Sequence, residues 1–328
     1  MHLIMKKKEK RGKGKMESQT ALQRKGILYA AGAYMMWGFL PVYWKWVGGV
    51  PAEEILAHRI VWAFVFMLLV LGVSKRLGQF LRELVSLFKR PKLLISLTIA
   101  SILISGNWFV YIWAVNQNHI IEASLGYYIN PLVSILLGTV VLKEKLNFWQ
   151  YVAVGLAGIG VIILAFRYGS IPWIALSLAF TFGLYGLTKK LLNYDAMIGL
   201  TMETMIVTPL AVIYLIMIGE HGFGSFGSIS ITSTLLLMGA GVVTALPLFY
   251  FAKGAQLIPL YMIGFLQYIS PTINLILGVF IFHEHFTSAH TTAFFFIWMA
   301  LLVFSMAKTK FLLRKQPKFL KNKSAKVS

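Results

Sequence analysis

The sequence predicts an all-α integral membrane protein of ten transmembrane helices, built as two inverted five-helix repeats. Three observations carry this reading. The chain is 58% hydrophobic and only 13% charged, with a mean hydropathy of +0.74, a balance that suits a polytopic membrane protein and no soluble class. Ten stretches reach the ~20 mostly apolar residues that a spanning helix needs: 26–46, 53–73, 93–114, 121–142, 147–166, 170–188, 196–218, 233–252, 258–282 and 287–307. Finally, the fourth stretch is repeated as the ninth, 140 residues on.

Orientation follows from the basic residues, which gather on the cytoplasmic side of short loops. Of 31 Lys and Arg, only Arg167 falls in a loop of the other side, while Lys45 and Arg59 lie within spans. The rest sit in the two tails, the 74–92 loop, and at Lys143, Lys145, Lys189, Lys190 and Lys253. Both termini are therefore expected in the cytoplasm. The division is a basic tail at 1–25, a first repeat at 26–166, a second at 167–307 and a basic tail at 308–328. About 18 residues at the start and 15 at the end read as disordered, being lysine-rich and poor in apolar groups. The net charge of +20 is explained by topology and lipid headgroups, so nucleic acid is not an expected partner.

The first span holds Tyr34, Trp37, Tyr43, Trp44 and Trp46, with Pro41 in its outer third. Trp44 and Trp46 read as interfacial belt residues, whereas Trp37 lies too deep for that role. The sixth span matches it at an offset of 145, placing Phe182 opposite Trp37 and Lys190 opposite Lys45, with Tyr185 nearby. In the second span Glu54 and His58 share a face and Arg59 lies about 1.5 turns inside. A charge in a span is costly unless it meets water or the bundle interior. Snorkelling is the bland alternative. The position aligned with Arg59 is Glu203, in the seventh span.

The third span offers Asn107 and Tyr111 on one face, with Trp108 and Trp113 elsewhere; Pro247 of the eighth span stands where Asn107 does. Such groups suit a cavity wall, although interhelical hydrogen bonds would also employ them. The fifth and tenth spans are almost purely apolar and read as packing elements, with Ala153 and Ala157 as a close-contact seam.

The fourth and ninth spans carry the repeat. Tyr128, Pro131, Gly138 and Glu144 recur as Tyr268, Pro271, Gly278 and Glu284. Prolines, glycines and glutamates are rare in apolar segments, so these identities weigh more than leucines would. Tyr127, Asn130 and Ser134 are spaced i, i+3, i+7, on one helical face, and Gln267, Ser270 and Asn274 repeat the spacing. Because each repeat has an odd number of spans, the second must enter the membrane upside down. Inverted repeats are a device of alternating access, with the site near the midplane between them.

Other chemistry is set aside. The chain has no cysteine, one aspartate (Asp195) and no phosphate-binding loop, which excludes disulfides, thiolate sites, an Asp-based triad and ATP-driven transport by this chain. His283-Glu284-His285 occupies the place of Lys143-Glu144-Lys145 and reads as a helix-end charge cap. No metal, cofactor or enzymatic activity is expected.

The segments WGFLPVYWK (37–45), EEILAHRIVW (53–62), GNWFVYIWAVN (106–116), EASLGYYINPLVSILLG (122–138), FGLYGLTKK (182–190) and FLQYISPT (265–272) resemble the RarD-type members of the EamA family, in the drug/metabolite transporter superfamily. The resemblance implies a ten-helix inverted-repeat carrier of the bacterial inner membrane that exports small metabolites or drugs. It also implies a central cavity within spans one to four and six to nine, with five and ten outside. A secondary carrier for a small aromatic or amphipathic solute is the reading adopted; a channel, a receptor and a membrane-embedded enzyme are the alternatives. The expected partners are a small-molecule substrate and the bilayer, and a homodimer is compatible with such a bundle. The candidate substrate-binding residues are Trp37, Arg59, Asn107, Tyr111, Tyr127, Tyr128, Asn130, Tyr185, Glu203, Gln267 and Tyr268.

Overall fold

The computed structural model describes residues 2–47, 49–116, 120–168, 173–192, 194–281, 288–307, 309 and 312. The HEH cluster at 283–285 and most of the C-terminal tail lie outside them, as do the side chains of Glu122 and Arg167. The described chain is helical: α1 (His2–Trp46), α2 (Ala52–Val73), α3 (Leu77–Leu87), α4 (Pro91–Asn116), α5 (Ile120–Val140), α6 (Phe148–Tyr168), α7 (Trp173–Leu192), α8 (Ala196–Glu220), α9 (Ile231–Leu257), α10 (Leu260–Gln267), α11 (Ile269–Phe280) and α12 (Ser288–Met306).

Each predicted stretch falls on a helix, with three departures. The N-terminal tail continues α1 back to His2; its Lys, Glu, Arg and Met residues are good helix formers, which offsets its lack of apolar groups. The ninth stretch is two helices, α10 and α11, divided at Tyr268. Pro271 lacks the N–H that the Gln267 carbonyl would take, which weakens the helix there. Lastly, the 74–92 loop contains the short helix α3. Among the described residues, six helical segments are long and apolar enough to cross a membrane. Those of α5 and α12 are shorter, at Leu125–Val140 and Thr291–Met306.

The packing follows the spacing found in the sequence. When each predicted span is exchanged with the one five places on, the most extensive contacts map onto one another. The α1–α9 contact has its counterpart in α4–α7, α5–α7 in the contacts of α1 with α10 and α11, and α2–α9 in α4–α8. The pairs α2–α8, α5–α10 and α6–α12 map onto themselves. Close approach between α2 and α9 depends on Gly241, where a Cβ would stand 2.2 Å from the backbone carbon of Trp62. The α6–α12 pair buries Ala153 and Ala157 against Ile297 and Ala300, so the expected seam is an interface between these two helices.

Helix α3 is two-faced. Phe80, Leu84 and Leu87 pack against Leu71, Leu97, Ile198 and Met202 at one end of the bundle. Leu77, Leu81, Val85 and Phe88 are exposed, along a second apolar stripe.

Candidate functional site

A cavity of about 130 Å³ opens between the two predicted repeats. One water needs about 10–15 Å³ of such space, so the cavity has room for a small organic solute. Helix α1 supplies Tyr34, Trp37, Leu40, Pro41 and Trp44 to its wall, α2 supplies Arg59, and α4 supplies Asn107, Trp108 and Tyr111. Gly126, Tyr127 and Asn130 come from α5, Leu178 and Phe182 from α7, and Gln267, Ser270, Pro271 and Asn274 from the α10–α11 break. Among the described residues, α6 and α12 contribute nothing to this wall.

Both prolines of the repeated span, Pro131 within α5 and Pro271 within α11, act at this wall. Proline at i removes the N–H that carbonyl i−4 would accept, and the i−4 residues are Tyr127 and Gln267. The two freed carbonyls, one in the continuous α5 and one at the α10–α11 divide, thus belong to matched lining residues. Tyr127 is 38% exposed, and the surface it presents faces the cavity. Its ring packs edge-on to Tyr111, with centroids 5.7 Å apart.

Arg59 is the charged residue of the wall. It is buried, and its guanidinium lies 4.7 Å from the ring centroids of both Trp44 and Trp108. Its Nε–H donates to Thr244 Oγ1 at 3.0 Å; its remaining N–H groups have no acceptor among the described residues. Tyr34 Oη, Asn130 Oδ1 and Asn274 Oδ1 are also buried without a hydrogen-bond partner. Asn107 is committed elsewhere, since its Nδ2 donates to the Leu178 carbonyl and to Thr181 Oγ1, both at 2.8 Å. That ties α4 to α7 while the side chain still borders the cavity.

One side of the cavity is bounded by a layer of packed aromatic rings. Trp37 meets Phe182 at 5.6 Å, Phe182 meets Phe251 at 5.4 Å, and Phe251 stacks on Tyr185 at 5.8 Å. Behind this layer Lys189 Nζ sits 2.7 Å from Glu203 Oε1, with both side chains buried. Tyr185 Oη donates to the other carboxylate oxygen at 3.3 Å. The lysine-rich end of the bundle is then fastened twice more. Lys190 Nζ donates to the Ile258 carbonyl at 2.6 Å. Glu144 accepts from the backbone N–H groups of Leu260 and Tyr261 at 2.8 and 3.0 Å, at the N-terminus of α10, where a carboxylate is favoured.

Seven of the eleven predicted site residues thus meet in one cavity: Trp37, Arg59, Asn107, Tyr111, Tyr127, Asn130 and Gln267. Tyr128, Tyr185, Glu203 and Tyr268 do not line it. Tyr185 and Glu203 belong to the closure behind the ring layer, and Tyr128 packs on Phe294. Tyr268 is fully buried, with its Oη directed at the Tyr128 carbonyl, 3.4 Å away. Ser134 lies beyond the wall and donates to Gln267 Oε1 at 3.3 Å. His58 and Glu54 hold the α8–α9 connection, where Glu54 Oε1 accepts from Ser225 N at 2.7 Å and His58 stacks on Phe226.

Sequence reasoning missed Trp44, assigned to a lipid belt, and Trp108, turned away from Asn107. The signal for Trp44 was present, because Trp37, Pro41 and Trp44 follow the i, i+4, i+7 spacing of one face. Trp108 carried a signal too, since it stands i, i+3 from Tyr111 on the helix.

Residues 24–166 match the EamA-like transporter family. The chain is 54% identical over 292 residues to "Uncharacterized transporter YojE" of Bacillus subtilis, covering 89% of this chain and 97% of the relative. It is 44% identical over 283 residues to "Protein RarD" of Salmonella typhi, covering 86% and 95%. A solved crystal structure superimposes with a TM-score of 0.68 at 16% identity, over 88% of this chain and 99% of that one; this likeness concerns the fold alone. The two sequence relatives cover nearly the whole membrane portion, and the Bacillus subtilis one is named as a transporter. The chain is a multi-pass membrane transporter and belongs to the EamA-like family, as a RarD-type member.

Proposed function

We propose that the chain is a secondary carrier that exports a small metabolite or drug-like solute across the bacterial inner membrane by alternating access. In this reading ten spans form two inverted repeats, and both termini are cytoplasmic. The cavity carries the proposal. Residues matched at one offset, Tyr127 with Gln267, Asn130 with Ser270, meet around it from the two repeats. It is closed toward the lysine-rich end by the ring layer and the Lys189–Glu203 pair. A site bounded by elements of both repeats, sealed on one side, is what alternating access requires. A channel would hold a repeated selectivity ring on a continuous path.

Flux in proteoliposomes tests this. A panel of small aromatic and amphipathic solutes, chloramphenicol included, is measured with and without a pH gradient. A carrier gives saturable flux and counterflow exchange; conductive, unsaturable flux would replace this reading with a channel. Tags tested for access from outside check the topology: a tag in the 219–232 loop is reached in intact cells, and a tag at either terminus is not. An accessible C-terminus would remove both the ten-span count and the inversion.

A further inference from the structure

The cavity wall is chemically one-sided. Arg59 is its only ionisable charge among the described residues, and no described carboxylate borders it. Glu54 is held by the Ser225 and Phe226 N–H groups, and Glu203 by Lys189. A buried guanidinium without a counter-ion is costly. The two indole rings compensate part of the cost by cation–π attraction, but an indole offers the N–H groups no hydrogen-bond acceptor. Thr244 takes one edge N–H. The others face a cavity that also holds the unpartnered Asn130 and Asn274 carboxamide oxygens.

We infer that this cavity selects an aromatic organic anion, its carboxylate or equivalent group held by the edge of Arg59 and its ring by the surrounding aromatic side chains. This rests on the carrier reading above and specifies its substrate class. A guanidinium fork matches a carboxylate through two parallel hydrogen bonds. Held against Trp44 and Trp108, the fork is fixed in orientation before a ligand arrives, which reduces the entropy lost on binding. Trp37, Tyr111, Tyr127 and Phe182 offer ring faces and edges beside it. The asparagine oxygens accept from a donor on the solute, so a ring hydroxyl adds affinity. A cation can use the asparagine oxygens and the rings, but it meets the charge of Arg59 and finds no carboxylate, so it binds more weakly than the anion.

The test uses the purified full-length chain and three solutes of one shape: 3-phenylpropanoate, 3-phenylpropan-1-ol and 3-phenylpropylamine. Binding is read by equilibrium dialysis and by protection of Leu40→Cys, at the cavity wall, from a maleimide, a clean readout because the native chain has no cysteine. The anion is expected to bind at least ten-fold tighter than the alcohol, with the amine weakest. The 4-hydroxyphenyl analogue of the anion is expected to bind tighter still. Arg59→Gln should erase the preference for anion over alcohol, and Arg59→Lys should retain part of it, since charge survives but the fork does not.

The ranking of the three solutes on the unaltered chain decides the matter even if Arg59→Gln fails to fold. Equal or tighter binding of the alcohol or amine overturns the inference. So does binding of none of the three. Either result leaves the carrier reading to the flux panel, which fails only if no solute shows saturable exchange.

Discussion

Breaking the Lys189–Glu203 pair should cost far more than deleting it. The two charged atoms stand 2.7 Å apart, with side chains 5% and 2% exposed. Removing one partner of such a buried pair strands the other and costs about 3–5 kcal/mol. Glu203→Leu also takes the acceptor from Tyr185 Oη, which is fully buried; an unmet buried hydroxyl adds about 1–3 kcal/mol. The single variant should therefore lose about 4–8 kcal/mol, comparable with the whole stability of many domains. Lys189→Met should lose about 3–5 kcal/mol by the same argument. In the double variant no charge is stranded, and apolar replacement of a buried pair is often neutral or stabilising. Its loss should stay near the ~1–3 kcal/mol of the orphaned Tyr185 hydroxyl. Unfolding of the purified protein by SDS in mixed micelles gives all four corners of the cycle. A coupling below ~0.5 kcal/mol, the scatter expected of independent sites, would refute the argument and with it the idea that this pair closes one side of the cavity.

Further expectations concern other parts of the molecule. Gly241→Ala places a methyl group against the Trp62 and Ala63 backbone, so α2 and α9 must separate, at a cost of about 1–3 kcal/mol readable in the same unfolding assay. Charged substitutions on the exposed stripe of α3, such as Leu81→Glu with Phe88→Glu, should lower membrane abundance, whereas Arg82→Gln should leave it near normal; equal abundance of all three would show that the stripe does not contact lipid. Tyr194, in the α7–α8 connection, donates to Glu83 Oε2 at 3.0 Å, and burial followed by that carboxylate raises its pKa. A raised folded pKa means that its contribution is complete below the ordinary tyrosine value of about 10 and is lost as pH rises past it toward the folded value. The stability gap between the wild-type chain and Tyr194→Phe should therefore be constant from pH 7 to about 9 and narrow above that; a constant gap to pH 12 would contradict this account.

Much of this was legible in the sequence because the strongest signals were residues that membranes tolerate poorly. Proline, asparagine and glutamine in spans four and nine marked the cavity wall, and Arg59 marked its charge. What escaped the sequence depended on the third dimension. Glu203 and Arg59 look alike as buried charges, and nothing in a linear pattern says that Lys189, fourteen residues before Glu203, folds back to neutralise it. Tyr128 and Tyr268 repeat as faithfully as any residue, yet they face packing partners rather than the cavity, since repetition reports a shared helix geometry and not which face is wet. The amphipathic α3 was hidden in a loop because its basic flanks dominated the local composition, although Phe80, Leu84 and Leu87 already follow an i, i+4, i+7 spacing.

The repeat explains why the two buried charges behave differently. Counting 145 residues from Trp44 leads to Lys189, and 144 from Arg59 leads to Glu203, so the Trp44–Arg59 contact and the Lys189–Glu203 pair occupy matched places in the two predicted repeats. One place holds opposite charges in direct contact, with a tyrosine on the remaining carboxylate oxygen. The other holds a cation against two indole rings, with one N–H on Thr244 and the others without an acceptor among the described residues. Direct contact of opposite charges needs no ligand to complete it, which suits the side of the cavity bounded by the ring layer. The cation is completed by whatever anion reaches its remaining N–H groups. Under the inverted-repeat reading, the same structural position thus serves as a lock in one half and as a receptor in the other. The difference arises from single substitutions, tryptophan for lysine and arginine for glutamate.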